Sequence, residues 1–192
     1  MSEEEMKLPD HERAYRGLRE MVLYGELAPG QPVTIQGLVE TLGLGMTPVR
    51  EAIRRLTSQG ALVFKGNRRV EVPAMTLAQY SELALVRRAI EPELARRAVE
   101  NLEDYHIDML SAEDAAVDQA IAQGDVRGYL EHNHLFHTML YELSGAEMLL
   151  SVAEMVWLRS GPSLRVMLGE AIRGDIEQGI AQVEGSLRAV EI

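Results

Sequence analysis

Two clusters in this 192-residue chain have residue types and spacings that could do chemistry. The first is Thr47-Pro48-Val49-Arg50-Glu51-Ala52-Ile53-Arg54-Arg55-Leu56, which sets three arginines on one short segment. A guanidinium presents a rigid fork of donors that matches phosphates and the guanine edge, so this segment could bind a polyanion. The second is His132-Asn133-His134-Leu135-Phe136-His137. Imidazole and amide groups can ligate a metal or hold a polar ligand, and Asn133 and His137 stand one helical turn apart. On helical spacing both fall inside the apolar arc of Tyr129, Leu130, Phe136, Met139, Leu140 and Leu143, with His132 and His134 near its edges. Polar groups aimed into a core need partners, because burial without a hydrogen bond costs ~1–3 kcal/mol. A metal, a bound polar ligand or neighbouring side chains would each supply them.

Charge is divided unevenly around these clusters. The net charge is −11, yet residues 1–71 carry ten Lys/Arg and ten Asp/Glu. Residues 72–192 carry nine against twenty. Between Arg50 and Val70 there are six basic residues (Arg50, Arg54, Arg55, Lys65, Arg68 and Arg69) and one acid, Glu51. An acidic body with a locally basic head fits a protein that offers one face to a polyanion. Cysteine is absent, which excludes disulfides and thiolate chemistry. The opening MSEEEMKLPD is acidic and polar, unlike a secretory signal, and no apolar run approaches the ~20 residues that span a bilayer. These features point to the cytoplasm and away from a membrane.

Helical periodicity predicts the elements that must position both clusters. His11 to Tyr24 repeats Tyr15, Leu18, Met21 and Val22 at helical spacing and ends at Gly25. Thr34 is a good N-cap for a short helix ending near Gly43. Thr47 then caps the arginine-bearing helix, with Pro48 at its first position, and that helix runs to about Gly60. Ala61–Phe64 and Val70–Val72 read as strands around the basic tip Lys65-Gly66-Asn67-Arg68-Arg69. Three helices and a hairpin make a winged helix-turn-helix. Pro73 marks the boundary. Beyond it the pattern is helical throughout: Thr76 to about Asn101 with a bend before Pro92, then roughly 105–123, 125–144, 146–160 and 162–190. The expected fold class is mainly α, with an acidic tail over 1–10, a winged head over 11–73 and an antiparallel helical bundle over 76–192.

In such a head, Arg50 would fork onto a base while Arg54, Arg55 and the wing meet the DNA backbone. Tyr24-Gly25-Glu26-Leu27-Ala28-Pro29-Gly30, Gly43-Leu44, the Thr47–Leu56 segment and Gly60 together resemble a GntR-type transcriptional regulator. Val86-Arg87-Arg88-Ala89-Ile90-Glu91-Pro92-Glu93-Leu94-Ala95 resembles the start of the FCD effector domain of the FadR subfamily. The resemblance implies DNA contacts at Gln36, Met46, Thr47, Arg50 and the wing tip Gly66-Asn67. The residue pattern adds Arg54, Arg55, Lys65 and Arg68. Gln36 and Met46 are often arginine in the family, and Gly45 stands where Ser or Thr is common.

For the body, the resemblance implies a divalent metal, zinc or similar, held through an (Asp/Asn)-x-x-Phe-His pattern that Asn133 and His137 match. No histidine follows His137. Asp175 aligns with a later ligand position in one register, and Arg165 and Ser186 in another. The segment from Gly161 to Asp175 is shorter than the family's. The resemblance also implies a small organic acid as effector, with Asn133 and His137 near it. Arg87 is the candidate for its carboxylate, Arg88 if the register shifts by one, while a salt bridge to Glu91 is the other role open to Arg87. Trp157 either packs the core or lines the pocket. The protein so implied is a homodimeric, ligand-responsive regulator, a repressor by the family's habit, reading a near-palindromic double-stranded operator. Two other readings stand beside it. One is a metal-dependent helical-bundle enzyme using Asn133, His134 and His137, which lacks a general base. The other is a winged helix that binds protein, distinguished from DNA binding by salt dependence.

Overall fold

Ala14, Leu18 and Val22 recur at four-residue intervals, and this stripe builds the first helix, α1 (Asp10–Leu23), which buries all three completely. The computed structural model describes residues 8–66 and 68–174. It divides them into two compact units. One contains the residues up to Met75 together with Leu158–Ser163; the other runs from Thr76 to Trp157 and resumes at Leu164.

In the first unit α1 packs on α3 (Met46–Ser58) and touches α2 (Ile35–Leu42). The Thr34 hydroxyl accepts the Gly37 amide at 3.0 Å and caps α2. Gly43 ends that helix in the left-handed region at φ 63°, a conformation cheap only for glycine. Val49, Ile53 and Leu56 of α3 are fully buried with Leu18, Val22, Leu62 and Val70. Each contributes ~1.5–3 kcal/mol by leaving water. Three short strands, β1 (Val33–Thr34), β2 (Val63–Phe64) and β3 (Arg69–Glu71), form an antiparallel sheet in the order β1-β3-β2. Val33 and Phe64 flank Val70 from either side. This is a winged helix-turn-helix.

Two local expectations needed correction here. The cap of α3 is Gly45, extended at φ −68° and ψ 160°, so Thr47 and Pro48 are its second and third residues. Proline is tolerated there because amides of the first turn have no intrahelical partner to lose. The sheet also gains β1, which is two residues long and too short to show an alternating pattern.

The second unit is all helical: α4 (Leu77–Ala98), α5 (Asp104–Gln123), α6 (Val126–Glu142) and α7 (Glu147–Gly174) apart from its Leu158–Ser163 stretch, with a 3₁₀ turn over Val99–Asn101. Thr76 and Gln79 form a reciprocal capping box that starts α4. Helix α6 packs against both α5 and α4. Leu94, Tyr141 and Ala153 form the core, with Ile90, Leu140, Leu149 and Leu150 against it. The break expected between residues 160 and 162 is absent: α7 continues through Pro162. Proline inside a helix forfeits one backbone bond and costs ~3 kcal/mol. Pro162 is fully buried beside the buried Ser160 and Gly161, and that packing offsets the loss. No described helix is long and apolar enough to cross a membrane.

Candidate functional site

Helix α3 has two faces. Val49, Ala52, Ile53 and Leu56 point inward, so the 3.6-residue period turns Met46, Thr47, Arg50 and Arg54 outward. Arg50 and Arg54 make no ion pair among the described residues. With no side-chain cap at Gly45 and no acid in the first turn, the leading amides of α3 are open to an anion. Gln36 is exposed on α2 and donates to Glu40 at 3.1 Å. Gly66, at φ 69°, and Arg68 are exposed at the wing, while Asn67 lies outside the described residues.

Two predicted contacts are engaged elsewhere. The Arg55 guanidinium lies 3.5 Å from the centre of the Tyr15 ring and bonds Glu12 at 3.2 Å, which draws it onto α1. Lys65 pairs at 2.8 Å with Glu71, a carboxylate that is otherwise almost wholly buried. Separating them would leave that buried charge uncompensated.

In the body, the indole of Trp157 gathers the polar groups. Arg87 lies over its ring at 4.4 Å and holds Glu91 through Nε at 2.7 Å and Nη2 at 3.3 Å. Trp157 Nε1 donates to the same Glu91 oxygen at 2.8 Å. His134 and His137 ring centres stand 5.6 and 5.2 Å from the indole, and Tyr141 lies 5.5 Å from His137. Burial holds His137 below the usual imidazole range, a shift that the nearby Glu91 opposes and Arg87 reinforces. The same burial, together with the Glu91 charge, pushes the Tyr141 hydroxyl well up. At neutral pH both groups are therefore uncharged. The buried Nδ1 of His137 has no hydrogen-bond partner among the described residues.

His134 departs from its expected place at the edge of the apolar arc: it is only 7% exposed. Helix α6 is covered by α4 and α5 together, and the buried arc is wider than its apolar letters alone describe. His132 instead reaches α5, where its Nδ1 lies 2.8 Å from Glu113. Asn133 is half-buried and Arg88 exposed. Sequence spacing exposed Glu91 only as a salt-bridge partner of Arg87, and Tyr141 not at all. A carboxylate four residues from Arg87 and a tyrosine four residues from His137 were the available signals.

The donors do not make a convincing metal site. Asn133 and His137 share a turn of α6, but Asp175 lies outside the described residues. Among the described residues no three His, Cys, Asp or Glu side chains are grouped to hold a metal. One amide and one imidazole are a weak set for zinc.

Comparison with known proteins agrees with this architecture. The family described as bacterial regulatory proteins, gntR family, matches residues 10–72, and the FCD domain matches residues 82–191. The HTH-type transcriptional regulator McbR of Escherichia coli K12 is 32% identical over 150 residues, which span 78% of this chain and 68% of McbR. The HTH-type transcriptional repressor RspR of the same organism is 25% identical over 140 residues, 73% of this chain and 61% of RspR. The solved structure of E. coli McbR/YncC superposes with a TM-score of 0.79 at 26% identity, covering 96% of this chain and 98% of that one. A GntR regulator structure from Rhodococcus sp. RHA1 shares the fold, with a TM-score of 0.66 at 21% identity over 94% of this chain and 95% of its own. These families and relatives are transcriptional regulators and not enzymes. The chain belongs to the GntR family of bacterial regulatory proteins, a DNA-binding transcriptional regulator with an FCD domain as its second unit.

Proposed function

We propose that this protein is a ligand-responsive repressor, acting in the cytoplasm, that binds a near-palindromic operator as a homodimer. The observation that carries the reading is the outer face of α3, where Arg50 and Arg54 stand exposed, with no ion pair among the described residues, above a fully buried stripe. Arg50 reads a guanine edge, Arg54 and Arg68 meet phosphates, and Gln36, Met46, Thr47 and the wing tip around Gly66 and Asn67 complete the contact. The open amides of α3 donate to a phosphate where a Ser or Thr cap would otherwise compete for them. Two heads on two half-sites account for a palindromic target.

A small organic acid is the effector in this reading, with its carboxylate on Arg87 and a second polar group within reach of His137 Nδ1 and Asn133. Repression is supported by the naming of RspR as a repressor. Ligand control requires the acid to favour one arrangement of the dimer over another. The test is selection of bound fragments from random DNA by the full chain. Enrichment of an inverted repeat, bound by two chains per duplex, is expected. Recovery of no common sequence would sink the DNA reading, and one chain per duplex would sink the dimer.

A further inference from the structure

Glu91 is unusually well held for a helix-surface partner. It takes the Nε edge of Arg87 and the Trp157 indole N–H. We propose that Glu91 is a built-in competitor for the effector: it fills the Arg87 fork that an incoming carboxylate needs, and the effector binds by exchange with it. This rests on the reading of Arg87 as the effector's anchor.

Three observations carry the exchange. First, the Arg87–Glu91 contact has the side-on fork geometry that guanidinium groups use for any carboxylate, so a ligand carboxylate meets the same two donors. Second, the side chains of the pair are 21% and 15% exposed. An ion pair so shielded is screened far less than one in open water, and leaving the fork empty is correspondingly unfavourable. Third, exchange strands neither partner. Glu91 released from Arg87 keeps the Trp157 donor, and Arg87 keeps the indole face beneath it. Weak monoacids therefore lose to Glu91. An acid with a second polar group, able to satisfy His137 Nδ1, wins.

Succinate and lactate serve as probes, titrated into the full chain by calorimetry and by the emission of Trp157, the sole tryptophan. Glu91→Gln is expected to tighten binding about tenfold or more relative to wild type, the equivalent of ~1.4 kcal/mol. Glu91→Asp keeps the charge but withdraws it from the fork by one methylene, and it too is expected to tighten binding. Unchanged or weaker binding in both variants overturns the exchange while leaving the anchor standing. Tightening in Glu91→Gln alone identifies charge repulsion as the cause and also overturns it. Arg87→Gln is expected to abolish binding. If it binds as wild type does, the anchor reading fails and the exchange with it, as they do if neither probe binds any of the proteins.

Discussion

Three arginines on α3 are neighbours in sequence, and the structure gives them different work. Arg50 is exposed on the outward face, with no ion pair among the described residues. A bidentate contact with a base is worth ~1–3 kcal/mol, so Arg50→Ala should weaken specific binding roughly 5- to 150-fold and relax preference at one base pair. Arg54 lies one turn further along that face. As a phosphate contact it should contribute ~0.9 to the slope of log affinity against log salt, and Arg54→Ala should remove about that much. Arg55 is stacked on Tyr15 and bonded to Glu12, the Arg55 and Glu12 side chains being 50% and 36% exposed. A cation–π contact of ~0.5–1 kcal/mol and an exposed ion pair of ~0–1 kcal/mol sum to roughly 0.5–2 kcal/mol of stability. Arg55→Ala should therefore lower the unfolding midpoint and leave the salt slope unchanged. The assay is fluorescence anisotropy with the selected operator between 50 and 300 mM salt, roughly the range over which phosphate contacts are lost, alongside thermal unfolding. If Arg55→Ala flattens the slope as much as Arg54→Ala, or Arg50→Ala binds as wild type does, the assignment of faces is refuted.

Other outcomes follow from single contacts. Thr34→Ala removes the hydroxyl that caps α2 and should cost ~1 kcal/mol by denaturant unfolding, whereas Thr34→Ser should cost much less. Leu94→Ala opens a cavity beside Tyr141 and Ala153 and should destabilise the body by ~2–5 kcal/mol, read as a shift in the denaturation midpoint at constant slope. His137 is held neutral below its ordinary range, so the unfolded chain binds a proton more readily than the folded one. Its contribution is fully present above about pH 6.5, the unfolded value, and is lost as pH falls through the lower folded value. The fall in melting temperature from pH 7.5 to 5.5 should be shallower in His137→Gln than in wild type.

Much of the fold was readable because local chemistry and global packing agree. Thr34, Gly43 and Thr76 act where their side chains or backbone freedom predict, and the Val49–Ile53–Leu56 stripe assigns α3 its buried face. Reading failed where tertiary packing overrode a local signal. Pro162 marks a break by propensity, yet its burial carries α7 onward. Gly45 displaces Thr47 from the cap because helix starts shift by a residue or two at little cost. His134 and His137 could be ranked only by an apolar arc on one helix, and the covering helices α4 and α5 set the real boundary.

The sequence by itself determined the class of protein. A basic recognition segment on an acidic chain, the winged order of elements and the helical body all follow from residue order, spacing and charge, which are properties along the chain. Which charges are committed was decided only in three dimensions. Arg55 turns to Tyr15, 40 residues earlier, Lys65 settles on the buried Glu71, and Glu91 of α4 meets Trp157 of α7, 66 residues later. At Glu71 and Glu91 the pairing depends on burial, which weakens solvent screening and makes an unpartnered charge costly. No one-dimensional pattern carries that information, because the partners become neighbours only when the helices pack and the hairpin closes.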